Sequence, residues 1–225
     1  MKLSRASVKK LVLMAIATAC LIPAMPAAAA DPPGPSRAQA LAALKKPDPQ
    51  ERRRGALGLE TVGRMDDAPA LIGALRDSDE LVRAIAEEAL WAVWSRSGDE
   101  RVDGLLRRGI SEMSSERLSE AVATFTRVIE LKPEFAEGWN KRATVYYLAG
   151  EYRRSLADCD EVIKRNPQHF GALSGYGQIY LKLDQPEKAL EYFRRALAVN
   201  PNLDGVEALI DRLDALQARR RQRSI

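Results

Sequence analysis

Apolar residues recur with helical spacing through the second half of the chain. Between residues 102 and 203 they fall at i, i+3, i+4 and i+7, which places them on one face of a helix. Two such stretches fit within every 34 residues, and a proline closes the second of each pair. The pattern therefore predicts pairs of amphipathic helices and an all-α fold.

The period of 34 residues holds at several structural positions. It separates Pro133, Pro167 and Pro201. The same step relates three further sets of residues, namely Ala121, Ser155 and Ala189; Phe125, Cys159 and Phe193; and Leu105, Trp139 and Leu173. A fixed period of this length is typical of solenoids, in which each unit packs on its neighbours.

This pattern resembles the tetratricopeptide repeat. The resemblance implies three units at about 102–135, 136–169 and 170–203, within a segment 100–203, followed by a capping helix and basic tail at 204–225. In the first unit Glu112 stands where the others have Tyr146 and Tyr180. The third unit carries the most family positions, which are Tyr176, Gly177, Tyr180, Ala189, Phe193, Ala196 and Pro201.

Residues 37–99 contain a different repeat, of 31 residues. Asp48 and Asp79 are predicted helix caps, and Arg52 and Arg83 lie one turn inside, able to reach acidic groups on the neighbouring unit. The segment resembles the HEAT-like repeats of the phycobilin-lyase group. Only the scaffold carries over, because the paired His-Glu motifs of the related hydroxylases are missing.

The boundary between the two repeat types allows two interpretations. Residues 98–105 fit either the second helix of the last HEAT-like unit or the first helix of the first tetratricopeptide unit. If one helix serves both, the chain is one continuous solenoid with contacts between sequential neighbours. Trp91 is expected to pack in this seam, and an aromatic pair of Trp91 and Trp94 that binds a ligand is the alternative.

The first 30 residues have the features of a secretory signal peptide. Four basic residues precede an apolar run over 11–22, and small residues lead to Ala30. A Pro-rich linker follows at 31–36. The sequence around Cys20 also resembles a bacterial lipobox, so lipidation at Cys20 is an alternative. We expect an exported protein, in a bacterial periplasm, with anchoring to an envelope membrane as the alternative.

Charge and composition exclude several functions. The formal net charge is +4, but removal of residues 1–30 lowers Lys+Arg from 35 to 31, equal to Asp+Glu, so basicity gives no case for nucleic-acid binding. One His and two Cys cannot make the usual zinc sites. His169 lies in a predicted turn and Cys159 at a core position, and no phosphate-binding loop is present. We expect no enzyme activity, no metal and no cofactor.

The sequence therefore predicts a non-catalytic adaptor that binds a protein or peptide in the concave groove of the repeats. The alternative is a membrane-tethered envelope assembly factor, held by Cys20 or by the basic tail Arg219–Arg223. By the same resemblance, a clamp for a peptide carboxylate would need basic residues, yet its places are Leu106, Ile110, Lys141, Gly171 and Gly175. The predicted groove residues are Leu106, Ile110, Met113, Asn140, Lys141, Thr144, Tyr147, Gly171, Ser174, Gly175, Gln178 and Leu181.

Overall fold

The computed structural model describes residues 34–223, and side chains as far as residue 218. The predicted signal peptide, Cys20, the start of the linker and the side chains of Arg219–Arg223 lie outside this part. Within it the chain forms eleven α-helices: α1 (Arg37–Ala43), α2 (Pro49–Val62), α3 (Ala68–Ala74), α4 (Glu80–Trp94), α5 (Glu100–Ser114), α6 (Leu118–Leu131), α7 (Ala136–Leu148), α8 (Tyr152–Arg165), α9 (Phe170–Lys182), α10 (Pro186–Val199) and α11 (Asp204–Arg223).

The four N-terminal helices form two pairs joined by ion pairs. The Asp48 and Asp79 side chains accept hydrogen bonds from backbone N–H groups at the starts of α2 and α4, which confirms the predicted caps. Arg52 of the first pair donates two bonds of 2.7 Å to Asp77 of the second. Arg53 binds Asp79 in the same way, and its hydrogen bond lowers the pKa of that carboxyl to about 2.

The next six helices pair as α5–α6, α7–α8 and α9–α10. In each pair a small residue of the first helix faces the second helix at the repeat position held by Phe125, Cys159 or Phe193. A Cβ atom on Gly109 would overlap Phe125, and one on Gly177 would overlap Phe193, so glycine permits the close approach. The all-α solenoid predicted from the sequence is confirmed in residues 34–223.

Glu112 replaces the tyrosine of the other units without leaving a buried charge unpaired. Its carboxylate accepts hydrogen bonds from the Thr124 hydroxyl at 2.6 Å and from Arg108 Nε at 2.8 Å. These two bonds outweigh burial and lower the pKa of Glu112. In the first unit a polar contact thus joins the two helices at the position where the other two units have a tyrosine ring.

The boundary helix α5 is the first helix of the first tetratricopeptide unit, which was the second of the two interpretations. It packs chiefly on α6, and α4 already completes the second N-terminal pair with α3. At the other end of the array α11 covers α10, with Ile210 and Leu213 beside Leu190 and Phe193. No helix within residues 34–223 is both long and apolar enough to cross a membrane.

The N-terminal helix pairs also contact the last tetratricopeptide unit. This differs from the expectation that contacts join only sequential neighbours. Arg76 donates to the Val199 carbonyl at 3.1 Å, and the Asn202 amide donates to the Leu75 carbonyl at 2.8 Å. Phe170 lies in the apolar core of α1–α4, with Leu203 packed against it. The end of α3 and helix α4 therefore pack against the turns that precede α9 and α11.

Candidate functional site

The concave side of the array carries a groove between α7 and α9. Its cavity measures about 190 Å³ and runs along both helices, from Asn140 and Gly171 near their starts to Tyr147 and Gln178 near their ends. Thr144 and Gly175 lie between these points. Six of the twelve predicted groove residues therefore line one cavity. The base of the cavity contains Ala143, Ser155, Cys159, Ala172 and Ile179.

The lining of this cavity has no charged residue among its eleven members. Ser155 donates its hydroxyl proton to the Ala143 carbonyl at 2.7 Å, and Thr144 bonds within its own helix. Gln178 is exposed, whereas Tyr147 is half-buried, with its ring centroid 5.9 Å from that of Tyr152. Burial raises the pKa of the Cys159 thiol to about 12, so this cysteine is an inert part of the base.

Trp91 of α4 closes one end of the groove. A Cβ atom on Gly171 would overlap the Trp91 ring, whereas one on Gly175 would meet nothing within 4 Å. Of these two predicted groove residues, only Gly175 leaves open space for a ligand backbone. Gly171 admits the indole of Trp91, which therefore packs against the third unit and not at the boundary near residues 98–105 where it was expected.

Lys141 serves an internal ion pair. Its ammonium lies 2.9 Å from Oε1 of Glu137, a carboxylate that is fully buried, and 5.8 Å from the Trp91 ring centroid. Burial alone would raise the pKa of Glu137. A hydrogen bond from His169 and the charge of Lys141 outweigh it, so the pKa of Glu137 lies below its usual value.

His169 is buried at the start of α9 and holds this cluster together. Its Nδ1 accepts the backbone N–H of Ala172 at 3.1 Å, so the ring proton lies on Nε2 and is donated to Glu137 Oε2 at 3.0 Å. The indole of Trp94 stacks on the imidazole with centroids 4.4 Å apart. His169 lies in the turn that the sequence predicts, but its carboxylate partner could not be predicted, because no motif relates it to Glu137.

The remaining predicted groove residues lie elsewhere. Leu106 is 2% exposed in the α5–α7 core, with Ile110 and Met113 packed against the same core. Leu181 lines a separate cavity under α11. Ser174 is half-buried on α9, outside the groove lining. The assignment of Leu106 to the groove is wrong, because its side chain is buried in this core. The assignment of the partly buried Ile110, Met113 and Leu181 stays a prediction.

The sequence model of the tetratricopeptide repeat family matches residues 106–169 and 141–204. A TPR repeat-containing protein of Rhizobium etli is 32% identical over 138 residues, which cover 61% of this chain and 67% of that protein. The Hsp70-Hsp90 organizing protein 1 of Glycine max is 24% identical over 116 residues, which cover 50% of this chain and only 20% of that protein.

A solved structure with a similar fold is the first TPR domain of Spaghetti (RPAP3), bound to the HSP90 peptide SRMEEVD. It superposes with a TM-score of 0.51 at 19% identity, covering 53% of this chain and 94% of that domain. At this identity the likeness concerns the fold.

Proposed function

The chain belongs to the tetratricopeptide repeat family, whose members are generally non-catalytic interaction modules, and we propose that it is an adaptor that binds a protein segment in the α7–α9 groove. The observation that carries the proposal is the lining of the groove. Solvent-facing polar groups and one half-buried tyrosine surround an uncharged cavity beside an unobstructed Gly175. A backbone can approach closely at such a glycine, and tyrosine is enriched among binding hot spots.

The groove favours a neutral segment over an acidic tail. Lys141 is the only basic residue at the family's clamp positions, and its charge is already offset by Glu137. An incoming carboxylate would have to compete with a buried, hydrogen-bonded partner, which is unfavourable. We therefore propose that this groove takes a segment with uncharged side chains, unlike the HSP90 peptide bound to the Spaghetti (RPAP3) domain.

Trp91 limits how that segment lies. Because its indole fills the space beside Gly171, the groove ends at Gly171 and Asn140 and is open from there towards the Tyr147–Gln178 end. The bound segment would pass Gly175 and pack a side chain on the Tyr147 ring. The N-terminal helices thus set the length of the binding surface in this proposal.

Replacing Tyr147 with alanine should weaken partner capture by about 2 kcal/mol, roughly thirtyfold, because a hot-spot tyrosine loses its contact area. The ring is half-buried beside Tyr152, so we expect a stability loss of about 1 kcal/mol. The measurement is a pull-down from an envelope fraction, repeated with purified partner, beside a thermal melt of each variant.

The matched control is Leu148→Ala, which removes a large side chain from the next position of α7. Leu148 is exposed and does not line the groove, so capture should be unchanged. Gly175→Leu should weaken capture as Tyr147→Ala does, by filling the groove. If both groove variants fold and capture the partner as well as Leu148→Ala does, binding lies on another surface.

We also propose that the protein is exported to a bacterial periplasm and that α1–α4 are HEAT-like units. The support for export is the basic, apolar and small-residue order of residues 1–30. The support for the HEAT-like assignment is the repeated Asp cap and the Arg52–Asp77 pair between units. A membrane-tethered assembly factor remains the second candidate, on the sequence around Cys20.

Intact mass of the protein purified from its native host should correspond to a chain that begins at Asp31, because cleavage is expected after Ala30. The control is the same gene expressed without residues 1–30, which should remain in the cytoplasm. A mass that fits a lipid-modified chain beginning at Cys20 favours the tethered candidate. An uncleaved cytoplasmic chain contradicts both.

A further inference from the structure

A second cavity lies where the N-terminal helices meet the tetratricopeptide units. It measures about 200 Å³ and is enclosed by the end of α4, the α4–α5 loop and the turns before α7 and α9. It is separate from the groove, because the two linings share no residue. Its lining includes the side chains of Trp94, Asn166, Lys132 and Arg165.

Two buried hydrogen-bond donors line this cavity without a protein partner. Trp94 is 4% exposed and Asn166 is 5% exposed. Neither the indole Nε1–H of Trp94 nor the amide Nδ2 of Asn166 has an acceptor within residues 34–218. Buried polar groups are nearly always paired, so two unpaired donors on one cavity point to an acceptor that enters from outside.

The next repeat indicates which acceptor fits. Asn200 is the residue 34 positions after Asn166, and its Nδ2 donates to the Glu87 carboxylate at 2.9 Å. Asn166 occupies the same place one unit earlier, beside the end of α4, where no carboxylate of the described chain reaches its Nδ2. The carboxylate of a ligand would accept the hydrogen bond from Asn166 Nδ2, as Glu87 accepts that from Asn200.

The charge around the cavity also suits a carboxylate. Lys132, Arg165 and Arg96 line it together with Glu134 and Glu137. The charge of Glu137 is offset by Lys141 at 2.9 Å, although Glu137 Oε1 has no hydrogen-bond donor within residues 34–218, and the side chain of Glu134 is 69% exposed. Three basic residues of the lining thus stand against two acidic ones, with Arg165 also paired to Glu161, and charge-assisted hydrogen bonds to a carboxylate are the strong ones.

We propose that this junction cavity binds a small organic carboxylate, which accepts hydrogen bonds from Trp94 Nε1–H and Asn166 Nδ2. The volume of about 200 Å³ suits a short-chain acid rather than a folded segment. The stack of Trp94 on His169 fixes the direction of the indole. Because the site joins α4 to the turns before α7 and α9, the bound acid stabilises the contact between the two repeat types.

The test is a titration of the purified chain with acetate, propionate and succinate at constant ionic strength, followed by the NMR signals of the tryptophan indole protons. We expect a saturable shift of the Trp94 signal with a dissociation constant of about 1–10 mM, typical for so few ligand atoms. The Trp139 indole donates to the Pro133 carbonyl at 2.9 Å and should not shift. Sodium chloride and sodium phosphate are the controls for unspecific anion effects.

Asn166→Asp is the decisive variant. It keeps the oxygen that accepts the Gln168 N–H at 3.3 Å and replaces only the unpaired donor, so the fold should persist. Carboxylate affinity should fall at least tenfold, whereas Tyr147→Ala in the groove should leave it unchanged. The proposal is overturned if no carboxylate gives a saturable shift, if chloride or phosphate gives the same shift, or if Asn166→Asp binds as well as the wild type.

Discussion

Replacing Glu137 with alanine should lower the free energy of unfolding by about 3–5 kcal/mol, the usual cost of breaking a buried ion pair. The carboxylate is fully buried and serves three partners. It accepts from His169 Nε2 and Asn140 Nδ2, each at 3.0 Å, and pairs with Lys141 at 2.9 Å. Without it the buried donors of His169 and Asn140 stay unpaired at the junction of the two repeat types, and Lys141 loses its ion-pair partner. Urea unfolding followed by far-UV circular dichroism measures the loss.

Glu134 provides the control, since it is the same residue type three positions earlier with an exposed side chain. Glu134→Ala should change stability by no more than about 0.5 kcal/mol. Glu137→Gln keeps the shape and separates the charge from the packing. If Glu137→Ala and Glu134→Ala have the same free energy of unfolding in urea, the cluster of Glu137, His169 and Lys141 contributes nothing to the stability of the junction.

The same carboxylate sets an acid limit on stability. Its pKa is lowered on folding, so its contribution is complete above the ordinary pKa of 4.5 and disappears as the pH falls through the lowered value. The difference between wild type and Glu137→Ala should therefore be constant between about pH 5 and 7 and shrink only under strongly acidic conditions.

The solenoid could be predicted because its determinants are local. Helical spacing, the 34-residue step and the capping aspartates all act between residues that are close in the chain or in equivalent units. The same holds for Gly177, whose lack of a side chain admits Phe193 of the paired helix. Tyr147 was placed in the groove by its register, one residue after the buried Tyr146.

The junction could not be predicted, because its partners are far apart in the chain. Trp94 meets His169 and Phe170, and Arg83 meets Asn202, across separations that no repeat period encodes. The error at Leu106 has another cause. Its register on the first helix of its unit suggested the groove, but its side chain is buried in the core that α5, α6 and α7 form.

Gly171→Leu and Gly175→Leu should separate the different roles that the structure gives to two glycines of the predicted groove. Both lie on α9, one turn apart, and replacing glycine in a helix gains up to about 1 kcal/mol in helix propensity, less at Gly171 because it is the second residue of α9. At Gly171 the new side chain overlaps the Trp91 ring, a rigid group held by edge contacts with Trp94 and Phe170.

We expect Gly171→Leu to cost about 2–3 kcal/mol, the upper part of the usual range for overpacking a well-filled site. For a domain of this size that lowers the melting temperature by roughly 4–12 °C. Gly175→Leu should melt at or slightly above the wild-type temperature and lose partner capture, because its Cβ meets nothing within 4 Å and the side chain fills the groove. Thermal melts and pull-downs of the two variants side by side decide the matter. Equal melting temperatures would mean that Trp91 does not hold the N-terminal helices against α9, and the groove would then extend past Gly171 as the sequence alone suggested.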